Sequence, residues 1–295
     1  MPVRVFINSG GGTAAAHRNV AGDVAQALAA VGIDADIELL DGVEVEAGCE
    51  AAADRGDDLV IVGGGDGTVS GAASALIGKQ VTLGILPLGT LNHFARDLGI
   101  PFDLKGAAKV IADGEVHRID VAAVNGQMFL NNSAIGLYPL MVVDRDIQRE
   151  RLGRSKRLAM LVASLRTLAR FNHQRLSLTI NDSHRSVVDT PLLFVGNNTY
   201  RLDIGGPGRR ESLEDGRLCV FVMRKKTRAG LVAASIRALF NRSRADDMVE
   251  LDDVQRLRVD SRASSLRVSL DGEVVKLKPP LLYEIHSRAL RVLAP

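Results

Sequence analysis

A glycine-rich run in the first quarter of the chain has a composition that suits phosphate binding. It reads Gly63-Gly64-Gly65-Asp66-Gly67-Thr68 and directly follows the apolar segment Leu59–Val62. Consecutive glycines let backbone N–H groups approach an anion closely, and a helix that begins there adds its positive end. Asp66 would repel a bare phosphate, so it indicates a cation, most plausibly Mg²⁺, between carboxylate and phosphate. The alternative is a plain strand-to-helix turn in which Asp66 or Thr68 caps the helix.

Two more loops of this kind follow other predicted strands. Asn8-Ser9-Gly10-Gly11-Gly12-Thr13 follows a strand at Val3–Ile7, and Pro87-Leu88-Gly89-Thr90 follows a strand at Val81–Leu86. The loop Pro87–Thr90 leads into Leu91–Leu98, where apolar residues recur at helical spacing. The alternative for that segment is an ordinary helix with Thr90 as its N-cap. Three such loops at one edge of a sheet favour a ligand that carries phosphate.

The elements that must position these loops alternate between strand and helix over roughly the first 120 residues. Helical periodicity covers Asn19–Val31 and Thr68–Ile77, and a weaker strand pattern covers Ala35–Leu40. Such alternation predicts a parallel sheet covered by helices, with the ligand at the carboxyl ends of the strands.

The pattern changes after Asp120 to short strands joined by tight turns, which predicts a mainly antiparallel second half. Asn125-Gly126 would join one hairpin, and Leu176–Ile180 with Val187–Val195 would form another. Further strands are expected at Arg217–Met223, Arg256–Val259, Leu266–Leu270 and Val274–Leu277. We therefore expect one domain at 1–120 and a second at 121–280, with 281–295 returning to the first after Pro279-Pro280.

Composition excludes several classes of protein. Lys+Arg number 37 against 35 Asp+Glu, which excludes nucleic-acid binding driven by bulk charge. No apolar stretch reaches the roughly 20 residues of a bilayer-spanning helix. The two cysteines form no metal spacing and fit a reducing cytoplasm. The glycine-rich run matches neither the P-loop, because no Gly-Lys-Ser/Thr follows it, nor the dinucleotide fingerprint, because Thr68 replaces the last glycine.

The run Gly63–Thr68, followed by Pro87-Leu88-Gly89-Thr90 and Leu91-Asn92-His93-Phe94-Ala95-Arg96-Asp97-Leu98, resembles the bacterial diacylglycerol-kinase-like lipid kinases. These are relatives of sphingosine kinases and, more distantly, of NAD kinases and phosphofructokinases. The resemblance implies an α/β, Rossmann-like or phosphofructokinase-like nucleotide domain and a β-sandwich-like second domain, with the active site in the cleft between them. It also implies transfer of the γ-phosphate of ATP to a lipid hydroxyl.

Specific residues acquire roles through this resemblance. Asn8, Gly63–Thr68, Thr90 and Asn92 would contact the nucleotide, and Asp66 with Asp97 would support the catalytic Mg²⁺ and its water network. The first loop departs from the family pattern, which has Asn-Pro and a later Ser-Gly, because no proline follows Asn8. Its phosphate contacts would differ accordingly.

Two segments in the second half also match the family. Leu270-Asp271-Gly272-Glu273-Val274 resembles an Asp-Gly-Glu segment whose glutamate, here Glu273, is the proposed general base. Read by itself, Asp271-Gly272 is a hairpin turn and Glu273 its exposed flank. Ser212–Leu218 resembles a structural cation loop, with Ser212, Asp215 and the backbone carbonyl of Arg217 as ligands. A plain turn at Asp215-Gly216 is the alternative.

Two basic segments are left to explain. Arg145–Arg175 and Arg224–Arg244 place many Arg and Lys residues around apolar positions at helical spacing. Basic amphipathic helices suit an anionic membrane surface, and a lipid substrate favours that interpretation. The alternative is a pair of helices with solvated charged faces. Nucleic acid is disfavoured because Trp is absent and aromatics make up 4% of the chain. We therefore expect a cytoplasmic protein, peripheral on the inner membrane face.

Overall fold

The computed structural model describes residues 2–10, 19–137, 139, 173–201, 209–210, 212–224, 230 and 248–295. The chain divides into two compact units. Unit 1 comprises Met1–Val121 and Ser287–Pro295, and unit 2 comprises Ala122–His286.

Unit 1 alternates strands with helices. In chain order its elements are β1 (Val3–Asn8), α1 (Val20–Ala29), β2 (Ala35–Leu40), α2 (Gly42–Arg55), β3 (Leu59–Gly64), α3 (Asp66–Leu76), β4 (Thr82–Pro87), α4 (His93–Asp97) and α5 (Leu104–Asp113). The strands pair in parallel in the order β2-β1-β3-β4, with α1 in contact with α5 and α2 in contact with α3. β3 reads as a continuous apolar run, as expected for a parallel strand covered on both faces.

The remaining strands are β5 (Glu115–Val124), β6 (Gln127–Phe129), β7 (Asn132–Gly136), β8 (Gln174–Ile180), β9 (His184–Thr190), β10 (Leu192–Asn197), β11 (Tyr200–Arg201), β12 (Arg209–Arg210), β13 (Leu218–Met223), β14 (Met248–Val254), β15 (Arg256–Ser261), β16 (Leu266–Leu270), β17 (Glu273–Leu277) and β18 (Leu281–Ala294). β5 and β18 contribute residues to both units. In unit 1 the last part of β18 runs parallel to β4 through Arg291 and Val292.

Unit 2 is built from antiparallel strands around one apolar core. Six strands pair in the order β14-β13-β10-β7-β16-β17, and a second set joins the first part of β18 to β15, β8 and β9. The core lies between them and includes Leu178 from β8, Val195 from β10 and Tyr283 from β18, each at most 1% exposed. Buried and exposed residues alternate along the first four residues of β15, which is typical of sandwich strands.

One predicted strand is wrong, and so are the helix caps of the two alternatives. The predicted strand Val187–Val195 is broken at Pro191, where β9 ends and β10 begins in the other strand set, because proline has no N–H for the ladder. α4 begins at His93 with Asn92 as its N-cap, so the alternative with Thr90 as cap does not hold. The N-cap of α3 is Gly65, which excludes Asp66 and Thr68 as caps.

Sequence reasoning also left two helices unidentified. α2 begins with a capping box in which the Asp41 side chain accepts from the N–H of Val43 and of Glu44, and the Glu44 carboxylate accepts from the N–H of Asp41. α5 is capped by Asp103, whose carboxylate accepts from the N–H of Gly106. Both patterns are readable as helix starts.

Candidate functional site

The three predicted phosphate-binding loops of unit 1 begin at one edge of its sheet. β1, β3 and β4 end at Asn8, Gly64 and Pro87, and their parallel register aligns Ile7 with Gly63 and Gly64 with Pro87. Side chains and amides at these carboxyl ends therefore lie together, at the edge where parallel sheets bind ligands. Residues 11–13 of the first loop lie outside the described residues.

Asn8 connects the loop after β1 to Thr68 in α3, the helix that follows the glycine-rich run Gly63–Thr68. Its Nδ2 donates to Thr68 Oγ1 at 2.8 Å, and its Oδ1 accepts from the N–H of Gly10 at 2.9 Å. Thr68 is 9% exposed and packs so closely that a Cβ on Gly64 would lie 2.6 Å from the Thr68 Cβ. The Asn8 and Thr68 side chains thus hold the loops, and glycine at position 64 permits this approach.

The glycine-rich run after β3 and the loop after β4 touch each other through Gly65 and Gly89. A Cβ on Gly89 would lie 2.3 Å from the Gly65 Cα, a separation that no side chain tolerates. The N–H of Leu88 also donates to the carbonyl of Gly64 at 3.0 Å. The N-terminus of α3, which begins at Asp66, thus lies beside the loop after β4. An 11-residue helix starting there presents unpaired N–H groups and a positive end to an anion.

Asp66 also bonds to α4. Its Oδ1 accepts a hydrogen bond from the N–H of Phe94 at 3.1 Å, which supplies an acceptor to one of the first amides of that helix. Oδ2 takes no part in this bond, so the carboxylate retains an oxygen suited to a cation or a cation-bound water.

Asn92 shapes the loop before α4. It adopts a left-handed conformation (φ 49°) and is 7% exposed. Its Oδ1 accepts from the N–H of Gly89 at 2.9 Å, and its Nδ2 donates to the carbonyls of Pro87 and Gly89. Both Nδ2 hydrogens are therefore used within the protein, so Asn92 shapes the loop, and its contact with nucleotide stays a prediction. Thr90, by contrast, is exposed.

Asp97 lies at the end of α4, with a side chain only 3% exposed. Its Oδ1 is 4.0 Å from Nε of Arg96. Arg96 also contacts His93 Nδ1 at 3.0 Å. The Asp97 carboxylate is therefore buried rather than exposed to solvent. It lies at the opposite end of α4 from Phe94, the residue that bonds to Asp66, so it can support neighbouring groups.

Unit 2 carries the second predicted catalytic segment. Asp271 and Gly272 have φ angles of 47° and 91°, which makes the predicted two-residue turn between β16 and β17. Glu273 is the first residue of β17, is exposed and lies opposite Leu270. The turn therefore presents the Glu273 carboxylate to solvent, and the role of Glu273 as general base stays a prediction.

The residue that sequence reasoning missed is Asp271. Its carboxylate accepts from three consecutive backbone N–H groups, those of Leu130 at 2.8 Å, Asn131 at 2.8 Å and Asn132 at 3.1 Å. Its own N–H donates to the carbonyl of Asn132. Asp271 thereby fixes the hairpin that carries Glu273 against the start of β7. The Asp-Gly pair signals the turn, but nothing local signals the distant amides.

The predicted cation loop in unit 2 is held by hydrogen bonds. Asp215 Oδ2 accepts from the N–H of Thr199 at 3.3 Å, and Ser212 Oγ accepts from the N–H of Glu214 at 3.0 Å. The carbonyl of Arg217 accepts from the N–H of Asn198 at 3.1 Å. Burial raises the pKa of Asp215, but hydrogen bonds from Thr199 and Ser212 and the charge of Arg217 outweigh it, and the pKa is lowered overall.

These residues supply a partial fit to a divalent cation. Ser212, Asp215 and the Arg217 carbonyl supply oxygen ligands of the type that Mg²⁺ and Ca²⁺ take, and the buried side-chain amide of Asn198 has no hydrogen-bond partner among the described residues. The three predicted ligands include one carboxylate, that of Asp215. In the part of the chain that the structure describes, no three His, Cys, Asp or Glu residues cluster as a metal site. The metal role of this loop stays a prediction.

Most of the two basic segments, Arg145–Arg175 and Arg224–Arg244, lies outside the described residues, so their predicted helices and membrane-facing surfaces stay predictions. Among the residues that are described, no helix is long and apolar enough to cross a bilayer.

Comparison with known proteins extends over both units. Residues 2–124 match the diacylglycerol kinase catalytic domain, and residues 141–294 match the YegS C-terminal NAD kinase beta sandwich-like domain. A diacylglycerol kinase of Mycobacterium tuberculosis is 31% identical over 257 residues, which covers 83% of this chain and 79% of the relative.

Solved structures agree with these matches. A Bacillus anthracis protein assigned to the diacylglycerol kinases has a TM-score of 0.79 at 26% identity, over 100% of this chain and 97% of that one. An Archaeoglobus fulgidus NAD kinase in complex with ATP has a TM-score of 0.51 at 12% identity, over 98% of this chain and 92% of that one. The latter likeness shows the fold alone. The predicted fold class, an α/β nucleotide-binding domain followed by a β-sandwich, is confirmed.

Proposed function

This chain belongs to the diacylglycerol kinase-like lipid kinases, and we propose that it transfers the γ-phosphate of ATP to the hydroxyl group of a lipid. Diacylglycerol is the proposed acceptor, by similarity to the named relative. Phosphatidylglycerol, sphingoid bases and polyprenols are further acceptors to test, because apolar pockets discriminate between lipid chains by only about 1–3 kcal/mol per methylene.

The observation that carries this proposal is that the carboxyl ends of β1, β3 and β4 lie together at one edge of the sheet. Asn8 is bonded to Thr68, Gly65 touches Gly89, and Asp66 is bonded to the first turn of α4. Together they hold the N-terminus of α3 and two glycine-rich loops as one rigid surface of backbone amides. Phosphoryl transfer depends chiefly on such positioning and charge neutralisation.

The glycine-rich run and the three predicted catalytic residues have distinct roles in the proposed reaction. The loop amides of Gly63–Thr68 would bind the ATP phosphates, and Asp66, supported by Asp97, would hold Mg²⁺, which neutralises phosphate charge. Glu273 would accept the proton of the lipid hydroxyl while the hydroxyl oxygen bonds to the γ-phosphorus of ATP. The bond from that phosphorus to the bridging oxygen then breaks, and ADP leaves.

A soluble acceptor is the second candidate, favoured by the match of unit 2 to the NAD kinase-like β-sandwich. A non-catalytic nucleotide- or lipid-binding regulator is the third, disfavoured because Asp66, Asp97 and Glu273 are all present. We also propose a peripheral association with the cytoplasmic face of a membrane, because a lipid acceptor must be reached at an interface.

The test uses purified full-length protein with γ-labelled ATP, Mg²⁺ and a mixed lipid extract in detergent micelles, beside the Asp66→Ala variant. The expected result is label in an organic-soluble product, absent from the variant, and analysis of that product identifies the acceptor. A parallel reaction with NAD tests the soluble acceptor. Bound ATP without transfer to lipid or to NAD would contradict the kinase proposal for these substrates and favour a regulator.

A further inference from the structure

Unit 2 contains a concave pocket of about 850 Å³ whose lining is strongly basic. The described residues around it come from β7, β8, β9, β15, β16 and β17, from His173 before β8, and from the turn between β15 and β16. Five of them are cations: Arg175, Arg185, Arg262, Arg267 and Lys276. Among the described residues of the lining, Asp260 is the one carboxylate, and it is already bonded to Arg258 through contacts of 3.0–3.2 Å.

None of the five cations forms an ion pair with another residue that the structure describes. Arg185 donates from Nε to Ser177 Oγ at 3.0 Å, a neutral acceptor that leaves its charge uncompensated.

Two of these cations, Arg267 and Lys276, lie side by side on neighbouring strands and repel each other. Arg267 on β16 and Lys276 on β17 are directly opposite in the antiparallel register. Like charges in that arrangement destabilise a strand pair. An anion bound between them would turn this repulsion into attraction, so the strand pair itself indicates a place for negative charge.

The chemistry of the lining suits an oxyanion such as phosphate and disfavours an acyl chain. Guanidinium groups pair with phosphate oxygens in a bidentate fashion, and four of the five cations are arginines. The hydroxyl of Ser261 already accepts from the N–H of Ala263 at 3.2 Å, so its own hydrogen is left to donate. The volume is that of a small-molecule site.

We propose that this pocket binds the phosphate ester group of an anionic ligand. Two sources share that chemistry, an anionic phospholipid headgroup at a membrane and a soluble phosphate ester. All the lining residues belong to unit 2, and the inference does not rest on the proposed kinase reaction, since its test measures binding alone.

The experiment compares two double variants of the full chain. Arg267→Gln/Lys276→Gln removes the opposed pair, and Arg256→Gln/Lys278→Gln removes two exposed cations outside the pocket. One arm measures co-sedimentation with phosphatidylcholine vesicles, with and without phosphatidylglycerol. The other measures the thermal unfolding midpoint against inorganic phosphate and glycerol phosphate, at ionic strength matched with chloride.

We expect the affinity of the pocket variant to fall about tenfold or more in at least one arm, because each basic residue near an anionic surface contributes about 1 kcal/mol to binding. The affinity of the control variant should change less than twofold. A loss with phosphatidylglycerol vesicles assigns the source to the membrane, and a loss confined to the phosphate arm assigns it to a soluble ester. Equal behaviour of the two double variants in both arms would overturn the proposal.

A second variant covers the case in which the first does not fold. Lys276→Glu places a carboxylate opposite Arg267, so it should keep or raise the unfolding midpoint in phosphate-free buffer. The same change should abolish the rise in midpoint that phosphate produces, because ligand stabilisation requires a binding site. A folded Lys276→Glu protein that phosphate still stabilises, and that still binds anionic vesicles, as the wild type does, would also overturn the proposal.

Discussion

Asp66 Oδ1 accepts a hydrogen bond from the backbone N–H of Phe94, and this contact of 3.1 Å joins the first turn of α3 to the first turn of α4. The carboxylate thus has a structural task besides the cation-binding role that we propose. Replacing it with alanine removes both at once. Separating the two requires a substitution that keeps the acceptor and removes the charge.

Asp66→Asn is that substitution. The amide oxygen still accepts from Phe94, so the free energy of unfolding should stay within about 0.5 kcal/mol of wild type. Phosphate transfer should fall by about 10²-fold or more, because the negative charge that would hold Mg²⁺ is gone. Urea unfolding and transfer from γ-labelled ATP measure the two quantities. Wild-type transfer by a folded Asp66→Asn protein would remove the charge from the mechanism.

Glu273→Gln tests the general base. Glu273 is exposed at the start of β17, so its replacement should leave stability unchanged. We expect the chemical step to slow by about 10²–10⁴-fold, with the Kd for ATP unchanged. Single-turnover kinetics and calorimetric titration with ATP distinguish these effects. Glu115→Gln, at the exposed start of β5, is the matched control and should transfer phosphate at the wild-type rate.

Asp271→Ala should act mainly on stability. It deprives three backbone N–H groups, of Leu130, Asn131 and Asn132, of their acceptor. We expect the free energy of unfolding to fall by about 3 kcal/mol, since unsatisfied buried donors are costly. Urea unfolding measures this loss. A change below about 0.5 kcal/mol would mean that water replaces the carboxylate and that Asp271 does not hold the hairpin.

Asp271 also shows where sequence reasoning ends. The Asp-Gly pair predicts a two-residue turn because both positions need a positive φ, and the structure has 47° and 91° there. The bond from Asn131, however, spans 140 residues and depends on the pairing of β7 with β16. The common edge of β1, β3 and β4 was predictable because parallel strands end together. The approach of Gly65 to Gly89 was not, since only the packed backbone shows which glycines meet.

Gly89→Ala tests that approach. The added Cβ would lie 2.3 Å from Gly65 Cα and 2.5 Å from Asn92 Oδ1, so the loops must separate. We expect a loss of about 1–3 kcal/mol in stability and a weaker affinity for ATP. Gly71→Ala is the control, because its Cβ would meet Glu46 Oε2 at 3.5 Å, an ordinary contact, and alanine favours a helix. Calorimetric titration with ATP that matches wild type in Gly89→Ala would contradict the positioning role.

The two cysteines provide a probe of the fold that is independent of catalysis. Cys49 is fully buried and Cys219 is 4% exposed. Burial, with the charge of Glu46 adding to it, raises the pKa of Cys49 from 9.0 to about 12, and burial likewise raises the pKa of Cys219 to about 12. Neither thiol ionises at pH 8 in the folded protein. An aromatic disulfide reagent should therefore label both only as fast as the protein opens, and at once in denaturant.

The same thiols predict how stability changes in alkali. Because the folded pKa values lie above those of the unfolded chain, the thiols contribute fully to stability below pH 9 and progressively less as the pH rises towards about 12. Urea unfolding at pH 8, 9.5 and 10.5 should show a decline that is reduced in the Cys49→Ser/Cys219→Ser variant, even though that variant is less stable throughout. Rapid labelling of native protein at pH 8, or an identical alkaline decline in both proteins, would contradict the buried environment assigned to these residues.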